Sequence, residues 1–375
     1  MPVARGFLFA GMHAGIKPFK KDLALVFSER PCSAAAALTV NAARAAPVQD
    51  VAARLPMRGL RGVVINSGNA NALTGQAGLD DVRTICSAAE RLLQVGDDSV
   101  VMASTGVIGQ RLPVAKIVDS LPRLKSLLKP APEMAAEAIL TTDTHIKVAS
   151  RTVRFGRKEG RITALCKGSG MIAPQLASTI VLICTDVSIS HDMLQQSLLS
   201  AMDGSFNNLT VDNDMSTNDT VLALANGVLG NSEIVDVGPE LALFEEQLKS
   251  VCVELAKEVA KDGEGATRLV EVRVDEAPSV AIASDIARSV AGSTLVKAAL
   301  FGADPNWGRI LATVGARCGS QKYPVDPTLA KVSIQGVCVY DRGPVVDLFE
   351  LPVVAMSTND ANEGPSLPGH ARLRS

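Results

Sequence analysis

Apolar positions along the chain follow two periods, and each predicts its own kind of element. Short apolar or alternating runs at residues 23–27, 60–65 and 100–103 read as strands. The run 60–65 stops at Asn66-Ser67-Gly68, and 100–103 breaks into Ser104-Thr105-Gly106. Residues 148–155 and 161–165 alternate as a hairpin does, and 177–184, 269–274 and 332–339 read as further strands. Helical spacing covers 79–95, through Val82, Ile85, Ala89, Leu92 and Leu93. It returns over 113–128, where Pro113 takes the first position and Pro122 is expected to split or kink the helix. Residues 191–202 and 239–260 are amphipathic, the second with Phe244, Leu248, Val251, Leu255 and Val259 on one stripe. A helix over 277–291 has Pro278 in its first turn. Strands and helices alternate unevenly, in blocks, which predicts an α/β chain of α+β layers rather than a regular doubly wound sheet. The tail 359–375 is rich in Gly, Pro and polar residues and is expected to fray.

Composition narrows the partners. The chain has 375 residues, enough for one large domain or two of about 150 residues. With 47% hydrophobic and 20% charged residues it buries enough apolar surface to fold. Lys+Arg number 37 and Asp+Glu 39, so no basic excess exists to neutralise phosphates, and nucleic acid is not an expected partner. No window of 18 apolar residues appears and the N-terminus has no signal-like h-region, so no membrane partner is expected either. The seven cysteines form no C-x-x-C pair, which argues against a disulfide framework and a zinc site. Cys184, inside an apolar run, reads as a small buried hydrophobe. The simplest reading is a soluble protein of a reducing compartment, the cytoplasm.

Candidate chemistry lies in four segments rich in small polar residues: INSGNANA (65–72), ASTGVIG (103–109), KGSGMIAPQLAST (167–179) and DNDMSTNDT (212–220). Glycine there lets backbone N–H groups approach a ligand. None fits a phosphate-loop or dinucleotide motif, and each alone reads as an ordinary strand-end loop; four together point to a site. In the third, Lys167 precedes Ser178 by eleven residues, and Ser178 opens an apolar strand. The four histidines show no triad-like context and read as surface or capping residues. A hydroxyl can instead be activated by an α-amino group on the same residue, which requires cutting the chain just before it.

On these segments the chain resembles the ornithine acetyltransferase family, the bifunctional glutamate N-acetyltransferases of arginine biosynthesis. The resemblance also rests on TTDTHIK (141–147), KDGEGATR (261–268) and KAALFGADPNWGRI (297–310), and it runs from about Gly6 to about Asp347. It implies an N-terminal-nucleophile type of α/β fold and self-cleavage between Ala177 and Ser178. The products would be an α chain (1–177) and a β chain (178–375), assembled as an α2β2 heterotetramer. It implies Ser178 as nucleophile, Thr105 and Gly106 as the oxyanion hole, and Thr141, Lys167, Ser178 and Glu264 as substrate-binding residues. Its substrates would be N-acetylornithine and glutamate, with no metal or organic cofactor and with acetyl-CoA as an alternative co-substrate. Without the resemblance, Lys167 reads equally as a surface charge, Glu264 as a solvated helix-end acid and Thr141 as a turn hydroxyl. Ser178 stands where the family usually has Thr, and the segment 353–375 matches no family segment, so no C-terminal binding residue is carried over. Two rivals remain open on the sequence: a non-cleaving homologue that binds acylated amino acids, and a hydrolase of the N-terminal-nucleophile kind.

Overall fold

The computed structural model describes residues 1–173 and 179–344, and the backbone of 370–374. The described residues divide into two units, 1–209 with 214–264, and 210–213 with 265–374. The expected cleavage point falls inside the first unit, so the β chain expected from 178 onward would contribute to both.

The first unit runs β1 (Phe7–Met12), β2 (Leu23–Leu38), α1 (Ala46–Arg54), β3 (Met57–Asn69), α2 (Gly75–Leu93), β4 (Val100–Val107), α3 (Val114–Ser126) and α4 (Glu133–Ala138). It continues through β5 (Lys147–Phe155), β6 (Lys158–Lys167), β7 (Ile180–Thr185), α5 (His191–Asp203), β8 (Thr220–Ala225) and α6 (Pro239–Lys261). The eight strands form one sheet in the order β4-β3-β2-β8-β7-β6-β5, with β1 against β2. Sixteen-residue β2 is its organiser. Its first half pairs antiparallel with β1 and β3, and its second half turns an edge to β8. The β2–β3 register shifts between Phe27 and Cys32, and such an irregularity bends a strand.

The two ends of the sheet therefore face each other. One core cluster joins Val63 and Ile65 of β3 and Val101 and Ala103 of β4 to Leu165 of β6, Leu182 of β7 and Leu222 of β8. The opposite face of β3 and β4, through Val64 and Met102, packs on Val82 and Ile85 of α2 and Ile117 of α3. On the far side α6 packs against β5 and β6, and α5 against β2 and β8. The predicted stripe of α6 is buried at Phe244, Leu248, Val251, Leu255 and Val259. Helix–sheet–sheet–helix layering follows, because each strand face needs an apolar cover.

Several expectations need correction. The strands ending at Asn66 and Ser104 do not end there: β3 runs on through Asn69 and β4 through Val107, as parallel partners. These stretches are mostly buried, and buried amides pair wherever a neighbouring strand offers acceptors, whatever the side-chain composition. Pro113 is the N-cap of α3 rather than its first residue, and α3 continues through Pro122, whose ring is exposed. The run 332–339 is two strands, β10 (Lys331–Ile334) and β11 (Val337–Asp341), joined at Gln335-Gly336, both with positive φ. The helix expected from 277 starts later, as α7 (Val280–Gly292) capped by the Ser279 hydroxyl, so Pro278 lies outside it. Residues 177 and 178 lie outside the described residues, and β7 begins at Ile180.

The second unit opens with β9 (Glu271–Asp275), followed by α7, α8 (Thr294–Phe301), α9 (Trp307–Gln321), β10, β11 and β12 (His370–Arg374). Its four-stranded sheet has the order β11-β10-β12-β9. The tail expected to fray thus supplies a strand between β9 and β10; residues 359–369 and 375 lie outside the described ones. Ile286, Val290, Ile310, Val314 and Val332 form its core.

Phe244 is fully buried at the α6 contact. Phe244→Ala is expected to lower unfolding free energy by about 3–5 kcal/mol, read from urea denaturation with an unchanged slope.

Candidate functional site

Strands β3 and β4 run parallel, and their small-residue ends lie side by side: Ser67 is level with Thr105 and Gly68 with Gly106. Gly106 has φ +136°, and a Cβ there would sit 2.3 Å from the Gly68 carbonyl carbon and 2.4 Å from the Asn69 nitrogen. No other residue fits so close to a neighbouring peptide. The DNDMSTNDT segment locks this pair of strand ends in place. Asn218 Nδ2 donates to Ala70 O at 2.6 Å and to Ser104 O at 2.8 Å, bridging both.

Lys167, the last residue of β6, reaches this place from the facing end of the sheet. Its Nζ donates to Thr105 Oγ1 at 3.3 Å, and the residue is 6% exposed. Burial pushes its ammonium below the ordinary lysine value, while Asp143 and Asp219 oppose that shift. A lysine ammonium donates and does not accept, so Thr105 receives this bond and keeps its own O–H to give elsewhere.

Thr141 and Glu264 are held by a second network. Asp143 accepts from Thr141 N at 3.0 Å, from Gly168 N at 2.7 Å and from Lys147 Nζ at 2.8 Å. Lys147 Nζ also donates to Asp262 at 2.5 Å. Ser169 Oγ donates to Asp262 O at 2.7 Å, and Glu264 N donates to Ser169 O at 3.0 Å. Glu264 itself is exposed. Gly170 leaves room for its carboxylate, since a Cβ there would lie 2.5 Å from Glu264 Cδ.

The structure thus brings Thr105, Gly106 and Lys167 together and ties the loops of Thr141 and Glu264 to the peptide that follows Lys167. Ala177 and Ser178 lie outside the described residues. Sequence reading missed Asp143, Lys147, Asp219 and Asp262 as site groups. Three of them stand in segments it quoted as TTDTHIK and KDGEGATR, and Asp219 in DNDMSTNDT; no periodicity marks them, because the contacts that join these segments, Asp143 to Gly168 and Lys147 to Asp262, are distant in the chain. Among the described histidines, His13 and His145 are exposed, and His191 bonds through Nδ1 to Ala34 O at 2.8 Å. Cys184 is fully buried, and burial holds its thiol well above the ordinary range. Among the described residues no group of three or more His, Cys, Asp or Glu could hold a metal ion, and no helix is long and apolar enough to cross a membrane.

A hydroxyl and a buried ammonium that meet beside a glycine at a strand end, in a layered α/β fold, form an arrangement able to polarise a carbonyl or bind a carboxylate. Comparison with known proteins makes the class specific. Residues 8–360 match the ArgJ family, and the chain belongs to that family. It is 42% identical over 354 residues to the arginine biosynthesis bifunctional protein ArgJ of Thermotoga neapolitana, covering 93% of this chain and 89% of that protein. It is 46% identical over 322 residues to the mitochondrial protein of the same name from Podospora anserina, covering 83% and 69%. Among solved structures it is similar to the ornithine acetyltransferase complexed with ornithine from Mycobacterium tuberculosis, at 35% identity and TM-score 0.41 over 46% of this chain and 92% of that one.

Burial works against the Asp143 charge, yet Lys167, Lys147 and the Thr141 amide together hold its carboxyl down to about 2, from an ordinary 3.8. A carboxyl lowered on folding stabilises the fold above its unfolded value and loses that contribution as pH falls through the folded one. Asp143→Asn is therefore expected to be less stable than the native chain at about pH 5, with the gap closing between pH 3.8 and about 2. Unfolding midpoints of both chains across that window check it; a gap independent of pH contradicts the assignment.

Proposed function

We propose that this chain transfers the acetyl group of N-acetylornithine to glutamate, as an enzyme of arginine biosynthesis, through an acetyl-enzyme on Ser178. Family membership supports the reaction, and the meeting of Lys167 with Thr105 beside Gly106 supports its location. On this reading the chain cuts itself between Ala177 and Ser178. The new α-amino group takes the proton of Ser178 Oγ as that oxygen attacks the acetyl carbon; its ordinary pKa, about 7.7–8.0, suits a base near neutral pH. The Thr105 hydroxyl and Gly106 N–H stabilise the oxyanion. Lys167 and Thr141 receive the carboxylate of the acetylated amino acid, and Glu264 the α-amino group of ornithine or glutamate. Ornithine leaves with the returned proton, and glutamate then attacks the acetyl-enzyme in a ping-pong sequence.

The same reading assigns the cut fragments to an α2β2 assembly in the cytoplasm, with acetyl-CoA as a second acetyl donor. Relatives named as mitochondrial make the compartment a matter for each organism's own protein.

Mass spectrometry of the purified protein is expected to show two fragments, of 177 and 198 residues (375 − 177), the second beginning at Ser178. A single intact chain that still transfers acetyl overturns the nucleophile. Thr105→Ala is expected to lower kcat by about 10²–10³ with little change in KM, as for a lost oxyanion donor. A change confined to KM removes Thr105 from that role, and acetate release without glutamate marks a hydrolase instead.

A further inference from the structure

Lys17 lies in the loop between β1 and β2 and has no part in the proposed mechanism, yet it touches the site on two sides. Asp22 folds that loop: it is fully buried and accepts from Ala14 N at 2.6 Å, Ile16 N at 2.7 Å and Lys17 N at 2.8 Å. The Asp22 carbonyl accepts in turn from Ser67 N at 2.9 Å, which fastens the loop to the end of β3. From this anchor the Lys17 stem crosses Gly68, where a Cβ would lie 2.6 Å from Lys17 Cγ. Gly68 is the residue level with Gly106. The Lys17 Nζ ends 2.9 Å from the Leu140 carbonyl, one peptide before Thr141. Lys17 thus runs from the Gly68–Gly106 edge to the Thr141 loop. It is half-buried, and of its three N–H donors the described residues take one. Burial lowers its ammonium below the ordinary lysine value, Lys20 adding to the shift while Asp22, Asp143 and Glu137 oppose it. A partly desolvated ammonium with donors to give favours an anion as partner.

The acceptor glutamate carries two carboxylates, and the proposed mechanism assigns a cation to one of them. Lys167 and Thr141 receive the carboxylate that donor and acceptor share. Lys147 is held between Asp143 and Asp262. We infer that Lys17 is a substrate-binding residue that receives the side-chain carboxylate of glutamate and so selects the acceptor. The inference rests on the acetyl transfer proposed above. Ornithine ends its side chain in an ammonium, which Lys17 repels, so one residue both attracts the acceptor and favours departure of the first product.

Lys17→Met keeps an unbranched stem over Gly68 and removes the charge. In a ping-pong sequence kcat/KM for each substrate reports its own half-reaction, so the two roles separate. For glutamate, kcat/KM is expected to fall about ten- to a hundredfold, as for a lost charge-assisted contact. For N-acetylornithine it is not expected to fall. An equal loss for both substrates marks a merely structural residue and overturns the inference, as does an unchanged value for glutamate. Should the variant fail to fold, the native protein is offered glutamine, which has the shape of glutamate without the side-chain charge. A preference for glutamate of about ten- to a hundredfold is expected, and equal use of glutamine overturns the inference. A native protein that transfers no acetyl from N-acetylornithine to glutamate overturns the functional reading and the inference together; an active one that fails these tests overturns the inference alone.

Discussion

A buried lysine held between two carboxylates is the constraint on which the site depends. Lys147 is fully buried, 2.8 Å from Asp143 and 2.5 Å from Asp262. Burial alone lowers a lysine's pKa, but here the two carboxylates outweigh it and hold Lys147 above its ordinary value. Removing the lysine would leave two buried carboxylates facing each other without a cation, the costly kind of broken ion cluster. The three residues come from the start of β5, the loop before it and the end of α6, so the ion cluster fixes three chain segments at once. Each segment then delivers a site group through its backbone. Asp143 carries Thr141 and the peptide after Lys167, and Asp262 carries Ser169 and through it Glu264.

Close backbone approach is the second requirement, and glycine meets it. Gly106 presses on the Gly68–Asn69 peptide at a φ of +136°, and Gly170 lies beneath the Glu264 carboxylate. The first of these contacts lets two parallel strands continue through sequences that look like turns. Asn218 then satisfies the Ser104 carbonyl on β4 and the Ala70 carbonyl just past β3, so three of the four small polar segments meet through its amide. The result is a rigid edge on strands rather than a loop, which suits donors that must be aimed before charge develops.

Much of this was legible in the chain. The α6 stripe, the 148–165 hairpin and the strand at 180–184 follow from periodicity, because burial on one face or on both leaves a periodic trace. The strand extensions through Asn69 and Val107 left no such trace, since small polar residues there are chosen for approach to a neighbouring backbone. Pro122 misled in the opposite direction: its missing N–H falls on the exposed side of α3, where water can serve the freed carbonyl. The site residues were legible as motifs, but the pairing of Lys167 with Thr105 spans 62 residues, and that of Lys147 with Asp262 spans 115. Nothing local encodes a contact made by bending a sheet until its ends face each other.

Unpaired buried groups show where stability has been given up. Asn66 Oδ1 and Ser104 Oγ lack hydrogen-bond partners, as does Asp219 Oδ2. Asn66 and Ser104 are level with each other on β3 and β4, one residue before Ser67 and Thr105. Each such atom works against folding, and a chain selected for stability alone would replace them with apolar groups of similar shape. Their concentration beside Thr105 and Thr179 is what a polar site held ready for a charged reactant requires. The offset comes from strands β7 and β8, buried along their whole length directly beyond Thr179 and Asp219. The apolar ladder that anchors these strands is therefore what allows their first residues to remain polar and unsatisfied.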